Sequence, residues 1–384
     1  MKHRIVEISM VKGIGILMVI CVHLLSISGL KAFCGVGTKI ELSLIAPLMI
    51  LFFLVAGYLN SDRKACAPRA YFSKRLKHIF ACYYAAAAVI LAVYAFIYLG
   101  IEGKSFGWYM DGAIGILLQF QAFHWLDPSA TGLHPMYYGL VVGWFLFQMT
   151  VADLIFVPIL HCINGKKNIW KLVLAAAFLA LAAVFYRADL QDLNEAPFSC
   201  RLLIAFVLPN IPGEVGLLML GDYLESISYL DFDSYPAPRL AAAAAISFGM
   251  LLAFIATDDY SYRFPFGTWG AFGPWSFFTG TLFGLALLTL LGVLCHILKK
   301  VPALKKTLGY LGDISISILI THYFVAFLTA YAGGFWYEPM SGPAPEKSAA
   351  EALGQFFLLL GVVLFVCCFL PIAVKRLRER RRPT

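Results

Sequence analysis

Stretches of about 20 consecutive apolar residues, the length an α-helix needs to cross roughly 30 Å of hydrocarbon, recur along this chain from one end to the other. Ten of them lie near residues 11–30, 43–60, 80–100, 136–160, 168–186, 200–220, 239–257, 275–298, 312–333 and 352–374. In lipid every backbone polar group must find its partner within the protein. The expected fold is therefore an all-α polytopic membrane protein, a bundle of about ten transmembrane helices. Composition agrees, because 61% hydrophobic and 14% charged residues are more apolar than a soluble domain can hide. A further apolar piece, 113–123, is too short to cross and reads as interfacial or re-entrant.

Basic residues set the orientation. With a cytoplasmic N-terminus, the inner segments hold Lys2, Arg4, Lys12, Arg239 and the basic residues of 63–77, 166–171, 299–306 and 375–382, which is most of the 30 Lys and Arg. The positive-inside rule then predicts that both termini are cytoplasmic. Segment 221–238 is the exception, expected inside yet carrying Asp222, Glu225, Asp231 and Asp233 with no Lys or Arg. Acidic residues count little in the rule, so the assignment is kept. The longest linkers, 101–135, 258–274 and 334–351, all fall outside.

The first apolar run is long enough to span and ends without a small-residue cleavage site, so it is expected to stay as the first helix. One transmembrane domain, 1–374, is then followed by a basic cytoplasmic tail, 375–384, suited to anionic membrane lipids and not to nucleic acid. The nine cysteines form no CxxC pair and no Cys/His spacing suited to a metal. Cys21, Cys82, Cys162, Cys295, Cys367 and Cys368 read as small packing residues. Cys34 and Cys200 fall near the outer face, and whether they pair is left open.

Ionisable residues at membrane depth are costly, which makes each a functional-site hypothesis. Lys12 and His23 share the first span in VKGIGILMVICVHL. Eleven positions at about 100° and 1.5 Å per residue make about three turns, so both point the same way roughly 16 Å apart. A snorkelling lysine and a packed histidine would satisfy the same spacing. His322, in SISILITHYF on the ninth span, reads either as a site group or as a packing histidine bonded to a neighbouring backbone. Ser315 and Ser317 beside it read as helix-packing hydroxyls. In the sixth span, FVLPNIPGEVG puts Pro209, Pro212 and Gly213 at mid-span. A break there must face protein or a wet cavity, which makes Glu214 either a cavity carboxylate or the partner of a basic neighbour. Trp108, Trp125, Trp269, Trp275, Trp336 and Tyr337 cluster at predicted outer boundaries as an aromatic belt.

Five segments occur in an ordered series: KGIGILMVICVHL on the first span, FFLVAGYLN closing the second, YFSKRLKHIF after it, GWFLF with Trp144 on the fourth, and LGYLGDISISILITHYF on the ninth. In this the chain resembles the acyltransferase-3 family, in its branch of sugar O-acetylases that includes fucose 4-O-acetylase-like proteins. Lys12-x10-His23 matches that family's Arg/Lys-x10-His signature. Three positions depart from the pattern: Ser9 stands where an acidic residue is common, Ala56 where Ser is, and Arg75-Leu-Lys-His78 where Arg-x-x-Arg is.

The resemblance implies a membrane-bound O-acyltransferase that moves an acetyl group from cytoplasmic acetyl-CoA, its acyl donor, to a hydroxyl of a sugar or cell-surface glycan, with no metal. The phosphates of the donor call for basic groups at the cytoplasmic surface, and Lys12, Lys74, Arg75 and Lys77 are the candidates. A sugar hydroxyl is a poor nucleophile at neutral pH. His23, with His322 as second choice and Glu214 in support, would act as a general base or as an acyl carrier. The expected setting is a bacterial plasma membrane, as a multi-pass protein in contact with lipid, with a homo-oligomer compatible with the pattern. The alternative is a secondary transporter or exporter of a polysaccharide precursor or small molecule, since broken helices and midplane charges also mark such proteins. A subunit that only organises a polysaccharide export assembly is a third reading, and it leaves the Lys12/His23 pairing without a purpose.

Overall fold

The structure, a computed structural model, describes residues 6–30, 48–60, 64, 66–117, 136, 143–187, 208–256, 276–335 and 347–372, and no strand occurs among them. The helices are α1 (Val6–Ile27), α2 (Leu48–Tyr58), α3 (Pro68–Tyr94), α4 (Phe106–Leu117), α5 (Gly143–Ile163) and α6 (Ile169–Arg187). They are followed by α7 (Leu208–Ser226), α8 (Ala237–Ala256), α9 (Ser276–Leu298), α10 (Pro302–Asp313), α11 (Ser315–Ala332) and α12 (Ala349–Val363). Two helices continue with π geometry, α3 through Ala95–Ile101 and α12 through Leu364–Phe369.

Among the described residues six helical runs are long and apolar enough to cross a membrane: Val6–Ile27, Pro68–Ile101, Ala237–Ala256, Phe278–Leu298, Ser315–Ala332 and Ala349–Ile372. Leu48–Tyr58, Gln148–Ile163 and Ile169–Phe185 are apolar but shorter. The 12 residues of α4 reach about 18 Å, shorter than the hydrocarbon thickness, and they include the first part of the short apolar piece 113–123, whose remainder lies outside the described residues.

Two expected features change. Of the sixth span the structure describes the part from Leu208 on, and there α7 runs unbroken to Ser226, with no break at Pro209, Pro212 or Gly213; residues 200–207 lie outside the described residues. The helix then carries on into the acidic segment, where Asp222 and Glu225 lie on it. The ninth span, expected from 312, starts at Ser315, because Ile314 leaves helical geometry (φ −98°, ψ 11°) and separates α10 from α11. Cys34, Cys200, Trp125, Trp269, Trp275, Trp336, Tyr337 and the basic tail lie outside the described residues.

The chain forms two compact units. The first comprises Met1–Gly15, Leu42–Lys77 and Leu146–Asp313, the second Ile16–Glu41, His78–Phe145 and Ile314–Thr384. In the first unit helices approach backbone to backbone at glycines, as small residues permit inside membranes. A Cβ on Gly57 would overlap the Leu218 carbonyl, and one on Gly221 would overlap the Leu54 carbonyl, so α2 and α7 cross at this pair. Gly13 and Gly312 make the same kind of crossing between α1 and α10, against the carbonyls of Leu308 and Ser9.

In the second unit aromatic side chains fix α11. Tyr94 meets the edges of Phe324 and Phe327 at centroid distances of 5.8 and 5.3 Å. Tyr83 donates its hydroxyl to the Ile116 carbonyl at 2.7 Å, and Tyr109 to that of Leu91 at 2.9 Å, which ties α4 along α3. Thr321 reaches Cys367, in the π segment after α12, at 3.5 Å. The turn of α11 that carries His322 is thus held next to the two helices that bear π segments, and such segments often mark functional places in helices.

Candidate active site

The second unit brings together both intramembrane histidines. His23 of α1 and His322 of α11, 299 residues apart in sequence, meet with Nδ1 of His23 2.8 Å from Nε2 of His322. Their ring planes differ by 3° and their centres are 5.1 Å apart. Parallel planes together with so short a nitrogen contact mean that the rings meet edge to edge in nearly one plane and share a hydrogen bond, rather than stacking face on face. Tyr323 sets its ring edgewise to His23 at 5.3 Å and to His322 at 6.3 Å.

The two rings differ in surroundings. His322 has no exposed surface, and its Nδ1 lies 2.9 Å from the carbonyls of both Ile318 and Leu319, one turn earlier on its own helix. His23 keeps some accessible surface. The packing alternative for His322, a bond to backbone, is therefore realised on one side of the ring, while the other side engages His23. Of the two rings, only that of His23 keeps accessible surface.

Lys12 is half-buried on α1, eleven residues before His23 on one uninterrupted helix. Lys74 and Lys77 are exposed on the first turns of α3. Arg75 is different: its Nε sits 2.7 Å from Asp153 on α5, and its guanidinium lies 6.0 Å from the centre of the Tyr71 ring. Tyr71 also donates its hydroxyl to Asp153 at 3.2 Å. Arg75 is thus bound into the helix packing, whereas its two lysine neighbours face outward as phosphate ligands should. Exposed ammonium groups at one end of a helix fit the charge of a nucleotide pyrophosphate.

Glu214 lies in the first unit with no exposed surface, and neither carboxylate oxygen has a hydrogen-bond partner among the described residues. Of its two sequence readings, pairing with a basic neighbour is not seen among those residues. Asp222, one turn of helix beyond Leu218, makes the contacts that Glu214 does not. It accepts from Asn60, the last residue of FFLVAGYLN, and pairs with Lys64 at 2.6 Å and Lys171 at 3.0 Å. Lys64 also reaches Glu225 at 3.0 Å. Burial works to lower the Lys64 pKa, but its hydrogen bonds and ion pairs with Asp222 and Glu225 outweigh that and raise it. Sequence reasoning missed this network, although an Asn closing one motif and a carboxylate in a helix were both visible.

A second cluster joins Glu7, Asp233 and His296, whose ligand atoms lie within 4.8 Å of one another. Such a group could hold a cation, and Lys299 provides one: its Nζ donates to Glu7 at 2.5 Å and to both oxygens of Asp233 at 2.8 Å. That ammonium holds the Asp233 carboxyl below the ordinary carboxylate range. Glu7 of α1 is thereby tied to His296 on α9 and to Lys299 just after it.

A family model described as "Acyltransferase domain" matches residues 5–372, nearly the whole chain. No curated protein and no solved structure matches the sequence.

Proposed function

The chain belongs to this acyltransferase-3 family and is a membrane acyltransferase, and from that premise we propose that it carries an acetyl group from cytoplasmic acetyl-CoA to a hydroxyl of a sugar or cell-surface glycan. The observation that supports the reading is the hydrogen-bonded pair of His23 and His322, brought together by two apolar helices, α1 and α11. A neutral imidazole there can accept the hydroxyl proton, which typically contributes about 10²–10⁴-fold to a rate. The acceptor oxygen then attacks the acyl carbon, the carbon–sulfur bond breaks, and the thiol leaves with the proton.

Lys12, Lys74 and Lys77 are the groups we assign to the donor's phosphates, with Arg75 contributing through what its bond to Asp153 leaves over. Glu214 has no assigned contact in this scheme and stays a candidate carboxylate for the acceptor side. The protein works in this reading as a multi-pass component of a bacterial plasma membrane. The transporter or exporter alternative drew on a helix broken at mid-span, and α7 is continuous through that stretch.

The test uses membranes containing the protein, labelled acetyl-CoA and the cell's own glycans. His23→Ala should lose acetyl transfer by at least about a hundredfold while acetyl-CoA binding and expression are kept. Transfer at the wild-type rate in His23→Ala would remove the base from the proposal.

A further inference from the structure

With both rings neutral, only one arrangement of protons fits the histidine pair. Ile318 and Leu319 present carbonyl oxygens to Nδ1 of His322, at 2.9 Å each, and a carbonyl only accepts. That nitrogen therefore carries the hydrogen. A neutral imidazole has a single N–H, so Nε2 of His322 is left with a lone pair. The 2.8 Å contact must then be donated from the other side, by Nδ1–H of His23. With its own hydrogen on Nδ1, His23 has its lone pair on Nε2.

We propose that His322 is a positioning residue for acyl transfer, one that holds His23 in the tautomer whose Nε2 is the reacting base. The chain of control starts at the backbone of α11, runs through the buried imidazole of His322 and ends at an atom of α1. It rests on the reading of His23 given above and deepens it by naming the atom. Partners of this kind, which orient a functional imidazole without touching the reacting molecule, are worth about 10–100-fold when removed from metal-binding histidines. The step balances as follows. The acceptor O–H breaks and its proton passes to Nε2 of His23, the oxygen bonds to the acyl carbon, the acyl–sulfur bond breaks, and the sulfur takes the proton back from Nε2. While His23 is charged, its Nδ1–H still donates to the neutral His322. The same lone pair would be the nucleophile if His23 carried the acyl group itself, so the tautomer is required by either chemistry.

The test is ¹⁵N NMR of histidine-labelled protein in detergent, with His23 assigned by its disappearance in His23→Ala. In the wild type His23 should show a protonated Nδ1 and an unprotonated Nε2. His322→Leu removes the acceptor, and His23 should then exchange between tautomers while kcat falls by about 10–100-fold and KM for acetyl-CoA stays unchanged. His322→Gln, whose side-chain oxygen can accept from Nδ1–H, should recover much of the rate. A wild-type His23 with its hydrogen on Nε2 overturns the proposal. So does a His322→Leu protein with unchanged kcat. Activity of His23→Ala decides the parent reading, whereas the spectra decide this one.

Discussion

Asp222 illustrates how much a single buried charge can organise. It has no exposed surface, and Asn60, Lys64 and Lys171 all converge on it from other segments. Removing one member of a buried ion pair leaves its partners uncompensated and typically costs about 3–5 kcal/mol. Asp222→Ala should accordingly lower the unfolding temperature in detergent far more than Asp231→Ala, an exposed carboxylate of the same segment. The pH dependence follows from Lys64. Its pKa is raised in the folded protein, so the stability it contributes is fully present below the ordinary lysine pKa and is lost as pH rises through the higher folded value. An alkaline series of melts should show that loss in the wild type and much less of it in Lys64→Met. Lys12 belongs to function in our reading, and Lys12→Ala should raise KM for acetyl-CoA with kcat little changed.

Among the elements, six of the ten expected spans recur as apolar helices long enough to cross, and they were legible because apolar runs of that length leave the backbone no other solution in lipid. What the runs could not show is where helices touch. Gly57 and Gly13 were quoted from the sequence as parts of motifs, but their purpose, close crossings with Gly221 and Gly312, depends on residues far away in the chain. Gly57→Ala should cost about 1–3 kcal/mol by forcing α2 off α7, while Gly361→Ala, whose Cβ would meet open space on α12, should be tolerated. Thermal melts of the two variants check the contrast. The site was legible in the same uneven way. Motif resemblance singled out His23 and His322 separately, yet their pairing has no signal in spacing. That Arg75 is paired with a buried Asp153 was not readable either, because a basic cluster carries no sign of which member a distant carboxylate engages. The prolines of α7 suggested a break that the helix does not show from Leu208 to Ser226.

At the scale of the molecule, the acidic segment 221–238 finds its explanation in company. Within the first unit Lys64, Lys171 and Lys299 come from three basic stretches expected on one side of the membrane, and they pair with Asp222, Glu225 and Asp233. Segments that touch in this way share one side of any membrane the helices cross. The loop needs no lysine of its own because it supplies the counter-charges for its neighbours. In a cysteine-free background, Ser234→Cys, exposed in the turn after α7, should react with an impermeant thiol reagent only once cells are permeabilised. Labelling of intact cells would place this loop, and the basic stretches bound to it, outside.

Glu7 binds Lys299 across 292 residues, and His23 binds His322 across 299. The ribosome makes α1 first, yet neither partner exists until more than three-quarters of the chain has been synthesised. For most of its biosynthesis α1 sits in the bilayer with Glu7 and His23 unmatched. His322 therefore cannot orient the imidazole of His23 before α11 has been made, so a chain cut short of residue 322 holds a first helix whose histidine still lacks that partner.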